Sequence, residues 1–247
     1  MDVNERNLVL ATKPYAKDDN ATSWRHLLTT IFVLSVLYAG TLIPSHWAIQ
    51  LVFSVITGFT LVRMFIIYHD YLHKTILRRS PLANIIFSIF GLYILAPKSI
   101  WRRSHDYHHK HNSKLYTTSI GSFPIVTKKK FLAMSPGQRK MYLFIRHPLT
   151  IGFGYIFAFL FGMCIQPLLR SPQKHLDCAL SILFHFTIGY LMWHFFGLTS
   201  FLCGFVAVSF LTGAMGSYLF YAQHNFPAAR FEDKEGWTYV KAALQSS

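Results

Sequence analysis

The chain has little acid: across 247 residues, 10 Asp and Glu face 24 Lys and Arg, a formal net charge of +14. Charged residues of either sign make up only 14%, less than a water-soluble domain usually carries. Cysteine is scarce as well. Cys164, Cys178 and Cys203 stand in or beside apolar runs with no paired motif. This excludes a disulfide framework and an iron–sulfur ligand set, and leaves reduced core thiols. No Gly-x-Gly-x-x-Gly occurs, so no dinucleotide-binding turn is present. Internal repeats and low-complexity linkers are absent, which favours one domain over residues 1–247. No signal peptide is visible: the chain is polar and mixed in charge to about Arg25, and the first apolar run has no cleavage-like end.

What is abundant is apolar: 52% hydrophobic residues and 17% aromatic, a membrane-protein composition. A bilayer core about 30 Å thick takes about 20 helical residues. Leu27 to Ile43 and Trp47 to Ile67 form two candidate spans joined by Pro44-Ser45-His46, a link without Lys or Arg. Leu82 to Ala96 is too short to cross and suits an interfacial or re-entrant helix. Leu149 to Leu169, broken by Gly152, Gly154, Gly162 and Pro167, is expected to enter without crossing. Ala179 to Phe195 and Thr199 to Tyr221 then make a second spanning hairpin. The expected fold is an all-α integral membrane protein, multi-pass, with two transmembrane hairpins and a histidine-rich cytoplasmic cap.

The side of that cap follows from the charge. Between His69 and His147 there are 14 Lys and Arg and only two acids, Asp70 and Asp106. Such a basic block can bind nucleic acid. Beside long apolar runs it reads instead as a cytoplasmic segment facing anionic lipid, with no nucleic-acid partner. Lys13, Lys17 and Arg25 at the start of the first hairpin, and Arg170 and Lys174 between later runs, agree with this side.

Histidine is concentrated in the same block. Six of the 13 histidines lie between residues 69 and 111, where uniform scatter puts about two. His69 and His73 stand at i and i+4, and His105, His108 and His109 at i, i+3 and i+4, so on helices each set shares one face. His111 is about 120° from His105 on the same wheel and is the poorest ligand of the group. Imidazole suits iron, zinc, copper and nickel, and five imidazoles on two faces can hold more than one ion. A single H-x3-H carries little information; paired with H-x2-H-H some 30 residues later, just past a membrane hairpin, it carries much. Solvated basic loops are the bland alternative. A zinc transporter is another, but its ligands belong within spans near the midplane, whereas these lie beyond the span ends. Asp70 and Asp106 each follow the first histidine of a cluster and are candidates to accept the outward N–H of a bound imidazole, or to balance the nearby cations. His185 and His194 lie within a span and read as satisfied interior or interface groups. His26, His46, His147 and His175 show no partner pattern.

On these motifs the chain resembles the membrane fatty acid desaturases, in particular the acyl-lipid branch. His69-x3-His73 resembles the first histidine box of that branch; the acyl-CoA Δ9 branch typically has one more residue between the two. Trp101-Arg102-Arg103-Ser104-His105-Asp106-Tyr107-His108-His109 resembles the second box with its lead-in. Gln223-His224-Asn225-Phe226 resembles the segment that gives a further ligand, and Trp237 with Ala242-Ala243-Leu244-Gln245-Ser246-Ser247 the stretch after it. The resemblance implies a di-iron centre of two iron ions, with His69, His73, His105, His108, His109 and His224 among its ligands. It implies O2 as co-substrate, a membrane-lipid acyl chain as substrate, and ferredoxin or cytochrome b5 as electron donor. The family's third box, a second H-x2-H-H, is expected after residue 247, so the chain reads as a fragment whose activity alone is doubtful. Hydroxylation or another oxygen insertion on the same scaffold, and a non-catalytic truncated membrane protein, remain the alternatives.

Overall fold

The computed structural model describes residues 3–115 and 123–246. Among them there is no β-strand; one isolated parallel bridge joins Lys114 and Glu232. A short helix, α1 (Val3–Ala11), precedes the first long pair, α2 (Asn20–Leu42) and α3 (Trp47–Leu72). Asp19 caps α2 by accepting from the amides of Ala21 and Thr22, and Pro44 lies in the break before α3. Both helices are long and apolar enough to cross a membrane.

Their packing is inverted relative to a soluble core. On α3 the buried stripe is Gln50, Ser54, Thr57, Gly58 and Leu61, at helical spacing, while Val52 and Phe59 are more than half exposed. Apolar side chains gain nothing by leaving a lipid solvent, so small and hydrogen-bonding residues face the neighbouring helix. The hydroxyls of this stripe are satisfied locally. Ser54 donates to the Gln50 carbonyl at 2.8 Å and Thr57 to that of Phe53 at 2.7 Å, as backbone and side-chain polar groups must be in hydrocarbon. The Gln50 amide donates to the carbonyls of Thr41 and Ile43, which closes the free end of α2.

The expected short apolar segment is α4 (Pro81–Tyr93), capped by Ser80, whose hydroxyl accepts from Ala83 N–H. The chain then turns through 91° into α5 (Lys98–Lys110). Leu95, at the corner, takes a positive φ of 57°, and the fully buried Tyr68 pins the corner by donating to the Ala96 carbonyl at 2.9 Å. The basic stretch beyond holds α6 (Lys128–Leu132), α7 (Pro136–Arg146) and α8 (Pro148–Gly152). Ser135 and Gln138 form a reciprocal capping box at the start of α7.

A π-helix, Tyr155–Ile165, and α9 (Gln166–Arg170) follow, together shorter than a span. The final apolar run, Leu176–Ala222, is 47 residues long and contains α10 (Leu176–Phe201), a second π segment (Leu202–Ala207) and α11 (Val208–Ala222). It doubles back at Gly197, whose φ of 81° and ψ of 177° are open to glycine. His185 accordingly packs against Phe205 with ring centroids 4.7 Å apart. Gly213 of α11 lies against the backbone of Tyr155, where a Cβ would sit 2.6 Å from its Cα; only hydrogen fits there. The last helix, α12 (Tyr239–Gln245), starts at a Thr238 cap. The expectation of an all-α protein with apolar helices long enough to span a membrane is met.

Candidate metal centre and apolar cavity

α3 presents His69 in its last turn and ends with His73 as its cap residue. α5 presents His105, His108 and His109 one helical turn apart. The two helix ends meet, and four of these imidazoles converge: His69, His73, His105 and His109 each offer a ligand atom, all within 4.8 Å of one another. Ring centroids are 4.5 Å apart for His69–His73, 4.6 Å for His69–His105 and 4.5 Å for His73–His109.

The remaining two candidates form an adjoining pair. His108 Nε2 and His224 Nε2 are 2.9 Å apart. His108 lies 5.7 Å from His105 and 5.6 Å from His109, ring to ring, so the pair abuts the four-histidine group. His224 Nδ1 donates to the Ser246 carbonyl at 2.7 Å, which leaves its Nε2 lone pair directed at His108. Ser246 is held in turn by its hydroxyl, which donates to the Arg230 carbonyl and accepts from Arg230 N–H. Trp237 donates from its indole to the Asn112 carbonyl at 2.8 Å, tying this last segment to the end of α5. Ser247, which closes the resembling stretch, lies outside the described residues.

Asp70 accepts from His69 Nδ1 at 2.9 Å, which turns His69 Nε2 toward the other imidazoles. Asp106 makes no such bond; its charge favours the protonated forms of His73 and His109. His111 is turned aside, stacked on Tyr107 at 4.1 Å and bonded to the Tyr107 carbonyl.

The residues fit a cation. Nitrogens bound to one ion at about 2.1 Å lie from about 3.0 Å (cis) to about 4.2 Å (trans) apart. The His105 Nε2–His109 Nε2 and His108 Nε2–His224 Nε2 separations are both 2.9 Å. His73 Nε2 and His105 Nδ1 are buried without a hydrogen-bond partner, and an orphaned buried polar atom costs about 1–3 kcal/mol. Burial, then neighbouring imidazoles, push His108 down to about 3 and His109 to about 4, and His105 further; burial also lowers His73 and His224. At pH 7 these rings are neutral, the form that ligates metal.

His69 and His105 also close one end of a cavity of about 340 Å³. It follows α3 from Leu61 to Asp70 and α11 from Ser209 to Gln223. At about 1.5 Å per residue those lining stretches are roughly 14 and 21 Å long. Leu61, Phe65, Trp101, Phe159 and Phe220 make up much of its apolar wall. Trp101 is fully buried, stacked between His105 at 4.7 Å and Phe220 at 5.2 Å. Away from the box histidines the wall becomes polar. Tyr155 and His185 hydrogen-bond at 2.9 Å, His185 Nδ1 contacts the Tyr93 carbonyl at 2.6 Å, and Ser209 and Thr212 hydroxyls are buried without partners. The sequence reading treated His185 as a satisfied interior residue, and it is one; that it lines the cavity depends on the π-helix carrying Tyr155, which no periodicity announces.

Membrane-length apolar helices, an imidazole cluster at their ends and an apolar cavity that reaches it are thus combined in one helical chain. The profile of the fatty acid desaturase family matches residues 45–244. The chain belongs to the fatty acid desaturase family, an oxidoreductase family of lipid metabolism. It is 26% identical over 246 residues to a fatty acid desaturase of Bacillus subtilis (strain 168), covering 98% of this chain and 70% of that protein. It is 22% identical over 269 residues to the chloroplastic omega-6 fatty acid desaturase of Spinacia oleracea, covering 100% of this chain and 55% of that one. It is 25% identical over 238 residues to the sn-1 acyl-lipid omega-3 desaturase (ferredoxin) of Nostoc sp. (strain 36), covering 87% and 61%. The chain thus spans from 55% to 70% of the lengths of these three relatives.

Proposed function

We propose that this protein takes part in O2-dependent desaturation of a membrane-lipid acyl chain at a centre of two iron ions. The observation that carries the reading is the apolar cavity ending on His69 and His105. His69, His73, His105 and His109 would hold one ion, and His108 and His224 would contribute to the second. Bound iron supplies the redox chemistry with O2 that breaking an unactivated C–H bond requires, which no side-chain acid or base can provide.

The chain's own residues do the rest. Leu61, Phe65, Phe159 and Phe220 bind the tail by displacing water from apolar surface, about 0.8 kcal/mol per buried CH2 against an aqueous reference. Trp101 forms a rigid wall that sets how the tail passes His105. The buried surroundings keep water from the reacting carbons. Asp70 holds His69 in the tautomer that presents Nε2, and the Ser246 carbonyl does the same for His224. Electrons come from an external carrier; the ferredoxin named with the Nostoc relative supports a ferredoxin-type donor over cytochrome b5.

The hairpins α2–α3 and α10–α11 span the bilayer, with the histidines and the basic segment on the cytoplasmic side. With native cysteines replaced and Ser171→Cys introduced, a membrane-impermeant thiol reagent applied from outside should leave position 171 unlabelled; labelling there overturns the topology. For the chemistry, the chain would be expressed with ferredoxin and its reductase, alone and joined after residue 247 to an H-x2-H-H segment. Gas chromatography of lipid acyl chains should show a new double bond in the joined form, dependent on O2 and lost in His105→Ala. A hydroxylated product instead favours oxygen insertion. No oxidised product from a fully iron-loaded joined form overturns the catalytic reading.

A further inference from the structure

A second cluster of metal-ligating side chains lies where the start of α10 meets α5 and the first π-helix. His175, Asp177 and Cys178 each offer a ligand atom, all within 4.8 Å of one another. They stand within four residues, but His175 precedes the helix with φ −132° and ψ 37°, so its side chain is not carried off by helical rotation. His175 is 7% exposed, and its Nδ1 is buried with no hydrogen-bond partner. Asp177 is fixed by Ser99, whose N–H and hydroxyl donate to it at 3.2 and 2.7 Å; each carboxylate oxygen keeps a lone pair free. Cys178 is fully buried, and its Sγ makes a long contact of 3.4 Å to the Met163 carbonyl. The Cys164 thiol, equally buried, lies beside it.

We propose that His175, Asp177 and Cys178 form a zinc-type site distinct from the box histidines. One sulfur, one imidazole and one carboxylate are donor types that zinc takes, with water filling the fourth tetrahedral position. Tetrahedral ligands at about 2.1–2.3 Å from an ion are about 3.4–3.8 Å apart, inside the spread of this cluster. Thiolate sulfur disfavours the hard cations magnesium and calcium. Binding replaces the ligating S–H by an S–metal bond and releases its proton to solvent, with no change of oxidation state. The exposed turn Pro172–Lys174 gives the ion a way in. The ion would tie the start of α10 to the α5 N-terminus through Ser99. Nothing in this proposal depends on the desaturase reading.

Cobalt(II) tests it, because thiolate ligation gives a near-ultraviolet charge-transfer band that an all-imidazole site lacks. The purified full chain in nanodiscs should show that band, saturating at about one equivalent and bleached by excess zinc. The band should vanish in Cys178→Ser, weaken with at least tenfold poorer cobalt affinity in His175→Gln, and persist in His105→Ala and Cys203→Ser. Absence of the band in the wild-type chain overturns the proposal whatever the variants do. So does a band unchanged in both Cys178→Ser and His175→Gln, or one lost in Cys203→Ser while that variant keeps wild-type helicity.

Discussion

The four-histidine group and the His108–His224 pair are neighbours made in different ways. In the first, every ligand comes from the end of α3 or from α5, with partners no more than one turn apart on each helix. In the second, His108 meets a residue 116 positions away, and that residue is oriented by a carbonyl from beyond a further 21 residues. The first group needs only that α3 and α5 converge, which Tyr68, Trp101 and the turn at Leu95 secure. The second also needs the segment after α11 to fold back, held by Trp237 on Asn112 and by Leu115 N–H donating to the Glu232 carbonyl at 2.9 Å. One subsite is stabilised by the membrane-embedded helices, the other by a surface segment with few buried apolar contacts, which is where local opening starts.

Four substitutions sharpen that contrast. His105→Ala should have the largest effect. It removes a donor of the first subsite and leaves a void beside Trp101 and His108, so iron measured by plasma mass spectrometry should fall by more than half. Iron retention near wild type would break the claim that His105 is central. His224→Ala should empty the second subsite alone, cutting bound iron by about half while the first holds its ion; equal loss from both would mean that they are not separable. Asp70→Asn keeps the shape but weakens the acceptor for His69, and outer partners of this kind are worth about 10–100-fold in metal affinity. Titration with a competing chelator should show a loss in that range, confined to the first subsite. His111→Ala should leave iron content unchanged, since His111 faces Tyr107 rather than the cluster.

The same contrast explains what could be read from the sequence. Histidines at i and i+4, or at i, i+3 and i+4, declare a shared face once a helix is granted, so the first subsite and His108 were legible by spacing. His224 was not; a lone histidine after an apolar run gains meaning only through resemblance to a family. The apolar helices were legible by length. The corner at Leu95 was not, because a leucine at positive φ has no sequence signature and is held there by tertiary contacts. His175 carried no recognisable motif, since it is its non-helical backbone before α10 that brings its side chain to Asp177 and Cys178. The expectation for Asp70 and Asp106 treated them alike, yet only Asp70 reaches a ring nitrogen.

The π-helix from Tyr155 to Ile165 also bears on how this protein can change over generations. A π turn holds one residue more than the α turn it replaces, so such a segment is in effect an accommodated insertion. Deleting a single residue there would let the turn close to α geometry while the residues on either side keep their register. Insertions and deletions are ordinarily absorbed in connecting loops. Here the π turn offers the same latitude inside a helix, and conservative exchanges among its lipid-facing side chains, such as Phe157 or Phe161, are free to drift.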